Sequence, residues 1–183
     1  MALRRRMRSH RATLAAANPD AGDQAAQLIA LGGTPRVVGG YRPQGSEIDP
    51  EPLMRRLALA GASLAMPVAI RTDAELVYRA WSPGDLLAPD AFGIPAPAPG
   101  APTLTPELII APVLAFDRRG GRLGQGGGSF DRTLERLRAT GRVFAIGLAF
   151  AGQEVAEVPL EPHDQPLDAI LTESGYIQVR KDF

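Results

Sequence analysis

The 183-residue chain contains no cysteine. Disulfides, thiolate nucleophiles and cysteine-held zinc are therefore excluded. Histidine is nearly missing too: His10 and His163 stand too far apart in sequence to suggest a histidine metal cage. Lysine occurs once, at Lys181, against 19 arginines. No apolar run approaches the ~18 residues of a membrane-spanning helix. The arginine-rich start lacks the apolar stretch of a secretory signal. Organelle transit peptides are also arginine-rich, but here Asp20 and Asp23 come early and serine is scarce, so a cytoplasmic protein is expected. Net charge is zero, which gives the molecule as a whole no attraction to nucleic acid or to an anionic membrane, and neither is expected as a partner.

What is present is an ordinary globular composition, 45% hydrophobic and 22% charged, at a length suited to one domain over residues 1–183. Residues 2–17 read as a helix carrying Arg4, Arg5, Arg6, Arg8 and Arg11. Asn18-Pro19 predicts the cap and first position of a second helix reaching Leu31, ended by Gly32-Gly33. Arg36 to Tyr41 reads as a strand. Asp49-Pro50 opens a helix with Leu53, Leu57 and Ala60 on one face, and Ser63 to Ile70 is a second apolar strand. Strand, helix, strand at this spacing predicts a right-handed parallel crossover. Residues 76–81 alternate as an edge or hairpin strand does. The proline-dense stretch from Ser82 to Pro106 predicts a long loop. Residues 107–116 read as a strand buried on both faces, residues 142–150 as another central strand, and residues 168–173 and 176–180 as short strands. The whole predicts an α/β domain, with a mixed, parallel-rich sheet and helices on both faces.

Chemistry concentrates in LAFDRRGGRLGQGGGSFDRTLERL, residues 114–137. A buried strand ends at Asp117, and a loop with six glycines runs to Gly128, where a helix begins. Gly126, Gly127 and Gly128 would let backbone N–H groups approach an anion at the positive end of that helix. Arg122 in the loop and Asp131 in the first helical turn suit a phosphate donor and a magnesium-binding carboxylate. A tight strand-to-helix connection would ask for the same glycines. The loop is neither a P-loop, lacking the Gly-Lys-Ser/Thr ending, nor a dinucleotide fingerprint.

The same residues resemble the signature of 5-formyltetrahydrofolate cyclo-ligases, FD-x-x-G-x-RLG-x-GGG-YYD. Here it reads Phe116-Asp117, Gly120, Arg122-Leu123-Gly124, Gly126-Gly127-Gly128 and Ser129-Phe130-Asp131. Arg4, Met7 and Arg8 fall at the spacing of the family's basic N-terminal motif. GSEID (45–49) is similar to its substrate-contacting glutamate segment, and VPLEPHD (158–164) to its closing motif. The resemblance covers nearly the whole chain. It implies a single α/β domain and an ATP- and Mg2+-dependent conversion of 5-formyltetrahydrofolate to 5,10-methenyltetrahydrofolate. In that reaction the formyl oxygen is phosphorylated and N10 closes the ring.

By this resemblance Arg4, Arg8, Arg122, Gly124, Gly126, Gly127 and Gly128 are expected around ATP. Glu47, Gln125, the three glycines, Ser129 and Phe130 are expected along the folate, with Asp131 and Asp164 as magnesium ligands. Arg122 and Glu47 would carry catalysis, Arg122 on the phosphates rather than in a surface ion pair. His163 would orient Asp164. A monomer is expected. The chain departs from the family where Ser129-Phe130 replaces a double tyrosine, where Gln125 replaces an aromatic, and where Ile94-Pro95-Ala96-Pro97 lacks a Glu-Pro pair. Two other readings stand beside this one: an ATP-dependent ligase for another small amide or pterin, and a non-catalytic folate-binding protein. A nucleic-acid binder using the N-terminal arginines is weaker, having no interleaved aromatics.

Overall fold

The computed structural model describes residues 2–180. Helices α1 (Ala2–Ala17) and α2 (Ala21–Leu28) precede strand β1 (Val37–Gly39), helix α3 (Glu51–Leu59), and strands β2 (Ser63–Val68) and β3 (Val77–Ala80). Strands β4 (Leu87–Pro89), β5 (Pro95–Pro97), β6 (Leu108–Pro112), β7 (Ala115–Phe116) and β8 (Arg122–Leu123) follow. Helix α4 (Ser129–Thr140), β9 (Phe144–Leu148), a 3-10 turn at Ala151–Gln153, β10 (Ala169–Thr172) and β11 (Gly175–Gln178) complete the order.

Seven strands form the main sheet in the order β11-β10-β9-β6-β1-β2-β3. The five inner strands pair in parallel, and β3 and β11 close the edges antiparallel. Alternation along these strands divides the core. Val38, Leu64, Met66, Leu108, Ile110 and Ile146 face α2 and α3. Ala65, Ile109, Ala145 and Ile170 face Leu134 and Leu137 of α4. The expected helices on both faces are there, and the expected crossover β1-α3-β2 is parallel with neighbouring strands. Among the described residues no helix is long and apolar enough to cross a membrane.

Three expectations need correction. The second helix begins at Ala21 rather than Pro19, and stops at Leu28. Asn18 does not cap it but bonds the Gln24 side chain, Nδ2 to Oε1, at 3.0 Å. The strand expected over 107–116 is two strands. Pro112 ends β6, and the buried Gln153 amide donates to the carbonyls of both Val113 and Leu114 at 2.8 Å, so neither is left for the ladder. The chain then turns into the separate β7–β8 hairpin. The proline-dense stretch is not all loop, because β4 and β5 pair there as a two-stranded ribbon. Prolines are tolerated in such a ribbon, where few ladder donors are needed.

Asp117 closes the β7–β8 hairpin. Its carboxylate accepts N–H bonds from Arg119 at 2.9 Å, Gly121 at 3.0 Å and Val158 at 2.9 Å. Burial pushes this acid up, but the three backbone donors and the Arg119 guanidinium outweigh it and hold the group below the ordinary carboxylate range. The signature's first acid therefore ties the glycine segment to the closing segment.

Candidate active site

Parallel strands that reverse their direction of winding leave a crevice at their carboxyl ends. Here the chain adds β2 on one side of β1 and β6 on the other, so the switch point lies between β1 and β6. The cleft opens there. Its volume is about 450 Å³, within the range of small-ligand sites. Its walls are Tyr41, Arg42, Gln44 and Glu47 after β1, Val113 and Leu114 after β6, and the run from Arg122 to Asp131.

The glycine run keeps the floor open. Gly126 at φ 109° and Gly128 at φ 65° occupy left-handed conformations that side chains resist. Gly128 stands at the N-cap of α4, and no side chain caps that helix end. The first N–H groups of α4 thus lie along the cleft without a capping oxygen, as an anion site needs. Arg132 pulls the loop back onto the helix by donating to the Gly127 carbonyl at 2.6 Å.

Arg122 and Asp131 meet at this end. Nη2 of Arg122 donates to Oδ1 of Asp131 at 2.7 Å, and the same oxygen accepts the Gln165 N–H at 3.2 Å. Arg122 also lies over the Phe130 ring, 5.8 Å from its centroid, within cation–π range. Its Nε is buried with no partner, a donor lacking an acceptor in a group that lines the cleft. Phosphate binding and an exposed ion pair were the two alternatives for Arg122; the pair that exists is buried and inside the cleft.

Asp164 lines the cleft with Asp131, and its Oδ2 accepts the Glu161 N–H at 2.7 Å. His163 makes no hydrogen bond to Asp164; Nε2 stands 4.0 Å from Oδ1 and 3.5 Å from Glu161. Among the described residues no three acidic or histidine side chains gather as a cage. Two carboxylates beside an open anion site fit a magnesium ion that shares its shell with phosphate oxygens and water.

Helix α1 lies along the other wall with its arginines in a row. Arg4 Nε donates to the Gly124 carbonyl at 3.1 Å, and Arg8 Nε to the Gln125 side chain at 3.0 Å. Among the described residues the terminal nitrogens of both have no protein partner, which leaves two guanidinium edges free. Arg4 lines the cleft; Arg8 does not, and reaches its rim only through Gln125. Gln125 in turn donates to Glu47 Oε1 at 3.3 Å, so the residue standing where the family has an aromatic forms a polar strap across the site.

The structure thus gathers Arg4, Glu47, Arg122, Gly124, Gln125, Gly126, Gly127, Gly128, Ser129, Phe130, Asp131 and Asp164 around one cleft. Sequence reasoning missed Arg11, although its spacing from Arg4 and Arg8 puts all three on one helix face. It also missed the β4–β5 ribbon, whose Asp90, Phe92 and Ile94 line the cleft. Asp90 pins that ribbon to the end of β2 by accepting the Ala69 N–H at 3.1 Å. Tyr41 was not singled out either. Its hydroxyl donates to the Ile48 carbonyl at 2.6 Å, closing the turn that carries Glu47. Burial, then the nearby Glu47 and Asp49 carboxylates, push its pKa well above the ordinary phenol value and make it a weaker acid.

The chain as a whole is similar to known proteins. The model of the 5-formyltetrahydrofolate cyclo-ligase family matches residues 1–173. A 5-formyltetrahydrofolate cyclo-ligase of Mycolicibacterium smegmatis is 38% identical over 157 residues, covering 79% of this chain and 78% of its own. That of Escherichia coli is 33% identical over 133 residues, covering 70% and 72%. The solved structure of a 5,10-methenyltetrahydrofolate synthetase from Aquifex aeolicus superposes with a TM-score of 0.80 at 26% identity, covering 99% of this chain and 93% of that one.

Proposed function

We infer the activity from a fixed premise: this chain belongs to the 5-formyltetrahydrofolate cyclo-ligase family. It is an ATP-dependent ligase that converts 5-formyltetrahydrofolate to 5,10-methenyltetrahydrofolate, releasing ADP and phosphate. The observation that carries this reading is the charge layout of the cleft. Guanidinium groups, an uncapped helix end, two carboxylates and the Gln125-bonded Glu47 line one cleft.

The reaction needs an activated oxygen, since a formyl oxygen is a poor leaving group. That oxygen takes the γ-phosphoryl group of ATP. N10 then bonds to the formyl carbon and gives up its proton, the C–O bond breaks, and phosphate departs with the oxygen. Such chemistry draws mainly on position and charge neutralisation. Arg4 and Arg122 are suited to hold the phosphates, with Arg8 at the rim, because forked guanidinium donors match phosphate oxygens. The N–H groups around Gly126 to Ser129 add neutral donors with no side chain in the way. Asp131 and Asp164 would hold magnesium, which neutralises phosphate charge when bound. Glu47 faces the formyl end and the pterin, beside the cation that forms as the ring closes.

The product absorbs at longer wavelength than the substrate, so turnover is directly visible. Absorbance should rise when protein, 5-formyltetrahydrofolate, ATP and magnesium are combined, and stay flat when ATP or magnesium is left out. A flat trace with all four present and tight folate binding would make the chain a folate-binding protein instead.

A further inference from the structure

Glu47 lines the cleft, yet its side chain is only 4% exposed. A carboxylate so enclosed needs partners. Gln44 N–H donates to Oε2 at 2.9 Å and the Gln125 amide to Oε1 at 3.3 Å. The one cationic partner among the described residues is Arg11, whose Nη1 lies 3.2 Å from Oε1 and whose side chain is 5% exposed. Arg11 does not line the cleft. Its remaining donors go to the same turn: Nε to the Ser46 hydroxyl at 3.1 Å and Nη2 to the Gln44 carbonyl at 3.4 Å.

We propose that Arg11 is the positioning residue of Glu47, fixing the carboxylate toward the folate without touching it. The proposal rests on the reading that Glu47 faces 5-formyltetrahydrofolate. Arg4 and Arg8 sit on the same helical face, and both keep free guanidinium edges for a ligand. Arg11, one turn further along, spends its donors on the protein. Helix α1 thus divides its basic face into Arg4 in the cleft, Arg8 at its rim, and Arg11, which holds the Glu47 carboxylate. Buried ion pairs add little net stability compared with well-packed apolar residues, so stability gives the pair no special reason to exist. Positioning does. Without Arg11, Glu47 would keep one backbone donor and one long amide contact. Its other neighbours give no substitute: Tyr41 donates elsewhere, Asp49 repels, and Arg8 reaches it only through Gln125.

The test is a kinetic cycle on the whole chain, using Arg11→Met, Arg11→Lys, Glu47→Gln and the Arg11→Met/Glu47→Gln double variant. Arg11→Met is expected to lower kcat/KM for 5-formyltetrahydrofolate at least tenfold while the KM for ATP changes less than twofold. Arg11→Lys should recover a substantial part of that loss, because an ammonium still reaches a buried carboxylate. The double variant should match Glu47→Gln, since Arg11 has nothing left to position. A loss shared equally by ATP and folate overturns the proposal. So does an Arg11→Met penalty as large in the Glu47→Gln background as beside the native glutamate. Should Arg11→Met fail to fold, Arg11→Lys and the double variant, which has no unpaired buried charge, decide the matter by the same comparisons. Native protein that turns over 5-formyltetrahydrofolate while Arg11→Met does so equally well overturns only this inference. Native protein with no turnover overturns the reaction assignment, and with it the role given to both residues.

Discussion

Arg122 Nη2 lies 2.7 Å from Asp131 Oδ1, with the two side chains 5% and 13% exposed. These are the residues assigned to the opposite charges of a magnesium–nucleotide complex, and in the free protein they neutralise each other. On the proposed assignment each would exchange or add a partner when that complex binds, Arg122 a phosphate oxygen and Asp131 the metal. Arg122→Ala should therefore lose ~1.5–3 kcal/mol of phosphate interaction, about ten- to a hundredfold in kcat/KM, with a raised KM for ATP. An exposed pair would cost less than ~1 kcal/mol. Asp131→Ala should abolish manganese binding measured in the presence of a non-hydrolysable ATP analogue, while most molecules stay folded. Full turnover at limiting magnesium would remove Asp131 from the metal site.

Two glycines of one signature serve different ends. A Cβ on Gly120, at φ 88°, would stand 2.5 Å from the backbone oxygen of Leu167. Gly120→Ala should cost ~2–4 kcal/mol in denaturant unfolding, since both strain and a backbone clash oppose it. Gly127 has nothing within 4 Å of that position and no positive φ. Gly127→Ala should leave stability within about 0.5 kcal/mol yet weaken ATP binding, because the added methyl would fill the ligand's approach. Equal ATP affinity in that variant would mean the triplet only relieves strain.

Asp117 makes acid stability measurable at one residue. Its carboxyl is held below the ordinary value of about 3.9, so its contribution is complete above that pH and is lost as pH falls through the folded value. Circular dichroism should show the native protein losing stability below about pH 4 more steeply than Asp117→Asn, which carries no titratable group there. At neutral pH the variant should be less stable by on the order of 2–3 kcal/mol, having an amide where three N–H donors expect a carboxylate. Parallel acid-unfolding curves would contradict this.

Ser129 lines the cleft at the first position of α4, where the family has tyrosine. A lost aromatic contact is worth ~0.5–1.5 kcal/mol beyond buried area, and Phe130 supplies part of that surface. Ser129→Tyr should lower the KM for 5-formyltetrahydrofolate by up to about tenfold and leave the KM for ATP nearly unchanged. A variant that binds folate no better would show a pocket rebuilt around serine and favour a ligase for a different small amide or pterin.

Of the residues lining the cleft, those of the glycine run were legible in the sequence from local character, and Arg4, Glu47 and Asp164 through the resemblance to the family's motifs. The glycine run is set by backbone demands that only a few residue types meet, whereas the GSEID and VPLEPHD segments stood out only by their resemblance to the family's motifs. The β4–β5 ribbon was hidden, because prolines suppress the alternation that marks strands. Arg11 was hidden for another reason: an arginine among arginines on a polar helix looks solvated until its partner, 36 residues away, is known.

By itself the sequence determined the α/β class, the parallel crossover and the glycine run of the cleft, since hydrophobic period and glycine chemistry act locally. Arg4, Glu47 and Asp164 were placed there only by resemblance to the family's motifs. Only the tertiary structure decided which charges meet. Arg122 pairs with Asp131, Arg11 with Glu47, and Gln125 joins Arg8 to Glu47, and each pairing depends on distances across separate elements. These pairings carry no signature in sequence spacing, whereas the sheet's switch point brings the segments to one edge and burial there makes the enclosed charges take partners.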